Sequence, residues 1–405
     1  MNQWKLWNTY MPKISPYYAV KCNPDRSLLS WLISAGSKFD CASSTEMMMV
    51  NNLIHDKSQL SKSIVFANPC KTENDISTGK LFGINWVVAD SVEELLKMKS
   101  HSYKPSIILR ICVDDSSSSS PFNVKFGLSL NKVREFGYVV KTLGLDLIGL
   151  SFHVGSGCKD NSAFGNAVST AHSIWKMLEF EKCVGEMKVL DIGGGFSHKN
   201  CEFISQAFSV TETIDKLKNN SYTMTHSTTN NSLRGIRDTT VIIAEPGRFF
   251  AAPTHDLYVK VIGKKPMASS SGLDGWRYTL DESIYGQFSC IPFDHANPKF
   301  MRICVDENDR SRPSTPAIFF GRTCDSLDWI ATSKSTEELE VGDWLYVPDM
   351  GAYTTSTSTE FNGFPKPPVV QIDYRPDNLS MSECSNMQFP LASMLKIENI
   401  EKELQ

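Results

Sequence analysis

Nowhere in the 405 residues does an unbroken apolar run approach the roughly 18 residues that a membrane-spanning helix requires. The opening segment, MNQWKLWNTYMPKISP, also lacks an apolar stretch of signal-peptide length, so a soluble, cytoplasmic chain is expected with no membrane partner. Blocks of like charge are absent too. The 41 Lys and Arg are interspersed among 45 Asp and Glu, which is not the footprint of a nucleic-acid binder and leaves small-molecule chemistry as the expectation. No CxxC pair has metal-site spacing, and the eleven cysteines, an odd number, sit in apolar segments such as FDCAS and LRICV. Reduced structural thiols and no metal are the expectation. No internal repeat of roughly 20–50 residues is visible, which excludes a solenoid.

What is present is a rhythm. Eight short apolar runs each end in a polar or ionisable residue: YYAVK (17–21), KFDCAS (38–43), SIVFAN (63–68), WVVAD (86–90), IILRI (107–111), LIGLSFHV (147–154), MKVLDIG (187–193) and VIIAEPG (241–247). Their brevity and β-branched content suit strands buried on both faces, and the stretches between them are long enough for helices. Examples are SLLSWLISAG (27–36), 161–180, and SVEELLKMKS (91–100), where Ser91 can cap and Val92, Leu95 and Leu96 supply an apolar stripe. Eight strand–helix units predict a closed (β/α)8 barrel with its chemistry at the strands' C-terminal ends; a doubly wound open sheet is the alternative. Lys21, Asp40, Asn68, Asp90, Arg110, His153, Gly193 to Gly195 and Glu245 would then ring one mouth, with Arg248 just beyond. After residue 250 the pattern turns to strands between turn-rich segments: 255–265, 276–283, 286–294, 316–324, 343–349 and 369–374. These predict an all-β second domain, dividing the chain into 1–254 and 255–405. Polar patches at Ser116–Ser120, Asn219–Ser232 and Ser269–Gly272 read as mobile surface loops.

Five motifs carry chemistry. Lys21 closes a strand in YYAVKCNPD, and burial in a barrel mouth would lower its pKa toward a nucleophilic amine suited to Schiff-base formation; a solvent-facing strand-end lysine is the other reading. DIGGGF (191–196) sets three glycines after a strand, either a phosphate cradle or a plain strand-to-helix turn. EPGR (245–248) offers Arg248 to the same anion and Glu245 as a partner for a pyridine nitrogen, or as half of a rim salt bridge. SFHVGSGC (151–158) brings His153 and Ser156, although a buried, hydrogen-bonded histidine is common in cores. GRTCDSLD (321–328) supplies the Cys324 thiol beside the Asp325 carboxylate, either a site for a cationic amine or a turn with a capping aspartate.

Together with FDCASSTE (39–46), FANPCK (66–71), VKFG (124–127), FDHA (293–296) and MGAYTTSTSTEFNGF (350–364), these motifs resemble eukaryotic-type ornithine decarboxylases from about residue 10 to residue 370, in the same order and at similar spacing. The resemblance implies a (β/α)8 barrel of the alanine-racemase type followed by a β-sandwich or Greek-key β-domain. It implies pyridoxal 5'-phosphate as cofactor, with Lys21 as Schiff-base lysine, His153 against the ring and Glu245 at the pyridine nitrogen. Ser156, Gly193, Gly194, Gly195, Arg248 and Tyr353 match the phosphate cradle, and Asp40 and Glu46 match acidic positions near the cofactor. Asp294, Asp325 and Phe361 match positions around the substrate side chain, and Cys324 the thiol associated with reprotonating the product. It further implies a head-to-tail homodimer with shared active sites. L-Ornithine is the expected substrate, with lysine and arginine open, since Asp325 and Asp294 would pair a distal cation.

Departures from the family pattern are expected to matter. Pro121 stands where the family places an arginine near the cofactor, and Arg322 replaces a proline beside Asp325, where it could compete with substrate. Phe293 replaces a common tyrosine and Ser283 a common glycine. Met1 lies close to the first strand, so a leader segment that adds strand structure to the β-domain is expected to be missing. These changes allow a second function class, a non-catalytic homologue that binds a regulatory partner in the manner of antizyme inhibitors; an antizyme-like regulator is accordingly a conceivable partner.

Overall fold

The computed structural model describes residues 2–223, 235–267, 275–303 and 311–371. The polar patch 269–272, most of 219–232 and the last three residues of the predicted strand 369–374 lie outside them. Two compact units are formed: one joins the residues up to Thr254 with Gly351–Ser356, the other His255–Met350 with the described residues from Thr357 onward.

The first unit is a closed barrel of eight parallel strands. In chain order these are β1 (Ile14–Ala19), β2 (Lys38–Cys41), β3 (Ile64–Phe66), β4 (Trp86–Ala89), β5 (Ser106–Arg110), β6 (Asp146–Ser151), β7 (Val189–Asp191) and β8 (Val241–Ala244), and β8 closes on β1 through Ile14 opposite Ile242. Side chains alternate across each strand. Tyr17, Val65, Val88, Ile108, Ile148, Val189 and Ile243 fill the barrel interior, while Phe39, Phe66, Leu109, Leu150 and Leu190 pack outward in the larger core. Both faces are apolar, which explains why these strands read as continuous apolar runs.

The helices follow local rules. Ser91 accepts the Glu94 N–H at 3.3 Å to start helix Val92–Ser100, whose Leu95 and Met98 are buried. Leu96, expected in the stripe, is 50% exposed, since one helical step from Leu95 turns it off that face. An additional helix, Asn2–Tyr10, precedes β1 and anchors through Trp7, which packs against Phe196, Phe203, Phe249 and Phe250 and donates to the Ile14 carbonyl at 2.9 Å. Lys71 is wholly buried; its Nζ donates to the Val88 carbonyl at 2.7 Å and lies 3.6 Å from Glu94, and burial lowers its pKa to about 8 against the pull of Glu94. Ser118–Ser120, expected in a mobile loop, instead forms a two-stranded antiparallel ribbon with Ser156–Cys158.

The second unit is a six-stranded β-domain: β9 (Leu257–Pro266), β10 (Trp276–Leu280), β11 (Met301–Arg302), β12 (Ser314–Phe320), β13 (Trp329–Glu337) and β14 (Trp344–Val347), in the order β11-β14-β9-β10-β12-β13. β9 pairs with β14 as far as Lys260 and with β10 from Val261, with a register irregularity between Val261 and Gly263 that bends the sheet over its core of Val259, Tyr278, Leu280, Phe319 and Val347. The strand pattern expected from the sequence changes in several places. GQFSCIPFD is a 3-10 turn, Gln287–Ser289, and a short helix, Cys290–Asp294, rather than a strand; its buried Phe288 and Cys290 imitate alternation. β13 had no apolar signature because it is an edge strand, mostly polar on both faces. Residues 369–371 form no strand.

Candidate active site

Strand alternation builds the floor of the site. Two residues beyond the inward-facing Val189 and Ile243 come Asp191 and Glu245, and on β2 the outward Phe39 turns Asp40 inward. Asp40 and Asp191 are fully buried and Glu245 nearly so. Lys21 lies in the turn Val20–Cys22 that ends β1, its Nζ bonded to Asp40 Oδ2, with 46% of its side-chain surface open. It therefore stands in a well that is protein-lined and open above. Asp40 Oδ1, also buried, has no hydrogen-bond partner among the described residues.

The electrostatics differ from the sequence expectation in one sign. Burial alone would depress the Lys21 pKa, but Asp40, Glu245 and Tyr353 outweigh it and hold the amine above its ordinary value. In this state Lys21 is an ammonium, not a free amine. Glu245 is pushed well up by burial and by the negative charges of Asp191 and Asp40, and it donates a hydrogen bond to Asp191. Asp191 is itself raised to about 6 by burial, while it accepts from the Gly193 N–H at 2.9 Å and from Ser151 Oγ at 3.2 Å. Burial, Arg110 and Lys21 together drive the His153 pKa well below 6.5. Its Nδ1 accepts the Gly155 N–H at 2.9 Å, so the neutral ring carries its hydrogen on Nε2.

Beside this floor lies a concentration of donors. Gly193 and Gly195 have φ of +66° and +93°, conformations that favour glycine, and a Cβ on Gly194 would stand 2.5 Å from the Glu245 carbonyl oxygen. The Arg248 guanidinium donates to Ser156 Oγ at 3.1 Å and lies 5.3 Å from the Tyr353 ring centre. Tyr353 holds φ of +54°, rare for a residue with a side chain, and its N–H donates to the Cys22 carbonyl at 3.0 Å, which ties the ring to the Lys21 turn. Lys21, Asp40, His153, Ser156, Gly193 to Gly195, Glu245, Arg248 and Tyr353 all belong to the first unit. Glu46 acts mainly in local folding, accepting the Ala42 N–H at 2.6 Å at the start of helix Ser44–Leu53.

The second unit gathers a separate group. Tyr285 donates its hydroxyl hydrogen to Asp325 Oδ2, and its ring lies 4.5 Å from that of Phe361. Asp325 Oδ1 accepts the Leu327 N–H at 2.9 Å, and these two bonds hold its pKa below the usual carboxylate value, so it is anionic. Asp325 thus caps a turn and also presents a charge. The exposed Cys324 donates its backbone N–H to Asn362 Oδ1 at 3.0 Å. Arg322 does not turn to Asp325: it stacks 4.4 Å over Phe364 and donates to the Pro365 carbonyl at 3.2 Å, and its charge partly offsets the burial that raises the pKa of Asp281 and Glu282. Asp294 ends the short helix Cys290–Asp294, half-buried. Asp191, Tyr285 and Asn362 were not singled out from the sequence. Alternation with Val189 could have marked Asp191 as inward; nothing local marks the other two.

Residues 1–252 match the family described as pyridoxal-dependent decarboxylase, pyridoxal binding domain. The chain belongs to that family. This decarboxylase is 34% identical over 395 residues to a probable ornithine decarboxylase of Dictyostelium discoideum, covering 93% of this chain and 78% of that one. It is 37% identical over 370 residues to antizyme inhibitor 2 of Xenopus laevis, covering 89% and 76%. Its fold matches the crystal structure of the Paramecium bursaria Chlorella virus arginine decarboxylase bound to agmatine with a TM-score of 0.78, at 32% identity over 90% of this chain and 92% of that one. The residues present fit pyridoxal phosphate. Its aldehyde needs an amine, its ring nitrogen a carboxyl group and its phosphate an arginine with hydroxyl and amide donors, and the open well offers each type, with Asp40 Oδ1 still unpartnered.

Proposed function

We propose that this decarboxylase removes the α-carboxylate of L-ornithine as CO2 and releases putrescine, with pyridoxal phosphate held at Lys21. The observation that carries this reading is the one well shared by the Lys21 amine, the buried Glu245–Asp191 carboxyl pair and His153. Bound there, pyridoxal phosphate supplies an electron sink for the pair left behind as CO2 departs. Glu245 holds the ring nitrogen, and His153, neutral and flat, lies against the ring. Ser156, Gly193 to Gly195, Arg248 and Tyr353 hold the phosphate. Lys21 must lose a proton before its nitrogen can attack. Asp40 Oδ2, already bonded to Nζ, is the nearest acceptor for that proton.

Asp325 and Asp294 pair the distal ammonium of the substrate, Phe361 lies along its methylenes, and the Cys324 thiol returns a proton to the α-carbon. These residues serve the site of a second copy in a head-to-tail homodimer. Exposure of Cys324, with Leu327 at 72% and Trp329 at 52%, supports a face that a partner covers. Nine free thiols among the described residues accord with the reducing cytoplasm.

The test is CO2 release from ornithine, lysine and arginine in parallel, with wild type and Lys21→Ala. Wild type should be yellow, lose its visible band on borohydride treatment and favour ornithine; Lys21→Ala should lack both band and turnover. Undiminished turnover by Lys21→Ala would overturn the assignment. Folded wild type with neither band nor CO2 release would instead favour a regulatory protein of the antizyme-inhibitor kind, the reading to which Pro121 lends weight.

A further inference from the structure

The ribbon of Ser118–Ser120 with Ser156–Cys158 brings a polyserine segment onto the anion-binding loop. Directly opposed residues of an antiparallel pair place their side chains on one face, with Cβ atoms about 4.5–5.5 Å apart. Ser120 opposes Ser156, whose Oγ accepts from Arg248. Two residues back on the same face, Ser118 donates its hydroxyl hydrogen to the Val154 carbonyl, and a Cβ on Gly155 would come within 2.5 Å of its Cβ. That face is therefore pressed against the loop that carries His153 and Ser156. The same loop backs onto the glycine run, since a Cβ on Gly195 would stand 2.3 Å from the Gly155 carbonyl oxygen. Ser119 alternates to the other face, toward Gly157.

The segment is held in this register from its base. Asp115 accepts the N–H groups of Phe122 at 2.6 Å and Asn123 at 2.9 Å, and its carbonyl accepts that of Ser118 at 3.1 Å. Pro121 has neither charge nor N–H to offer, so a polar contribution of this segment to an anion falls to its neighbour. We propose that Ser120 is a further anion-binding residue of the cradle, its hydroxyl donating to the phosphate group held by Ser156 and Arg248. This rests on the pyridoxal phosphate reading above.

The experiment compares dissociation constants of pyridoxal phosphate and of unphosphorylated pyridoxal for the full chain stripped of cofactor, followed by tryptophan fluorescence. Ser120→Ala should weaken pyridoxal phosphate roughly tenfold, the effect of one hydrogen bond to a charged group, and leave pyridoxal unchanged. Ser120→Thr, which keeps the hydroxyl, should retain affinity, and Ser119→Ala should match wild type. Unchanged pyridoxal phosphate affinity in Ser120→Ala, equal loss for both ligands, or loss in Ser120→Thr would overturn the assignment of Ser120. Wild type binding pyridoxal as tightly as its phosphate would overturn the phosphate cradle itself.

Discussion

Replacing Asp191 by asparagine tests the carboxyl pair beneath the site. An asparagine retains one acceptor oxygen, for the Gly193 N–H or the Ser151 hydroxyl, and can still bond Glu245, but it cannot ionise. Both carboxyl groups have folded pKa values above their unfolded ones, so the folded chain binds their protons more tightly than the unfolded chain. Their contribution to stability is thus fully present below the unfolded values and is lost as pH rises through the folded ones. For Asp191 the window runs from 3.8 to about 6. At about 1.4 kcal/mol per pH unit, that amounts to roughly 3 kcal/mol, spread over a pair that titrates jointly. Urea unfolding of the cofactor-free protein should show Asp191→Asn gaining on wild type as pH rises, level with it near pH 4 and ahead by about 3 kcal/mol at pH 8. Parallel stability curves for the two proteins across that range would refute the reasoning.

If the proposed head-to-tail dimer shares its sites, Lys21→Ala and Cys324→Ala, each expected to be inactive alone, should regain partial CO2 release when mixed, because one site of the heterodimer would keep both groups; no recovery despite demonstrated subunit exchange would remove Cys324 from the proposed shared site. Asp325→Asn should raise KM for ornithine by tenfold or more with a smaller change in kcat, since it removes the anion proposed to face the distal cation; an unchanged KM in steady-state assays would count against that pairing. Glu94→Ala should lose about 3–5 kcal/mol in urea unfolding by leaving Lys71 buried without its carboxylate, and a loss below 1 kcal/mol would show that the Val88 carbonyl and the Phe66 ring suffice.

The eight barrel strands were legible because each is short, apolar on both faces and followed by a polar residue at the mouth. The β-domain was less so. Strand β13 lies at an edge with mixed polarity, and the segment around Phe288 buries alternate side chains from helical turns, so period alone misassigns both. Among site residues, Lys21, His153, Glu245 and Arg248 stood out because each sits in a short motif with an obvious chemical use. Tyr285 reaches Asp325 across 40 residues, and no local pattern encodes that distance.

The amino-acid order alone determined the barrel, the placement of ionisable residues at one set of strand ends and the membership of a decarboxylase family, because strand period and motif spacing are local properties. The protonation of the site was decided only by tertiary structure. Whether the Lys21 pKa falls or rises depends on which carboxylates converge on it from β2 and β8, and a pairwise Coulomb interaction is fixed by distance in space, not along the chain.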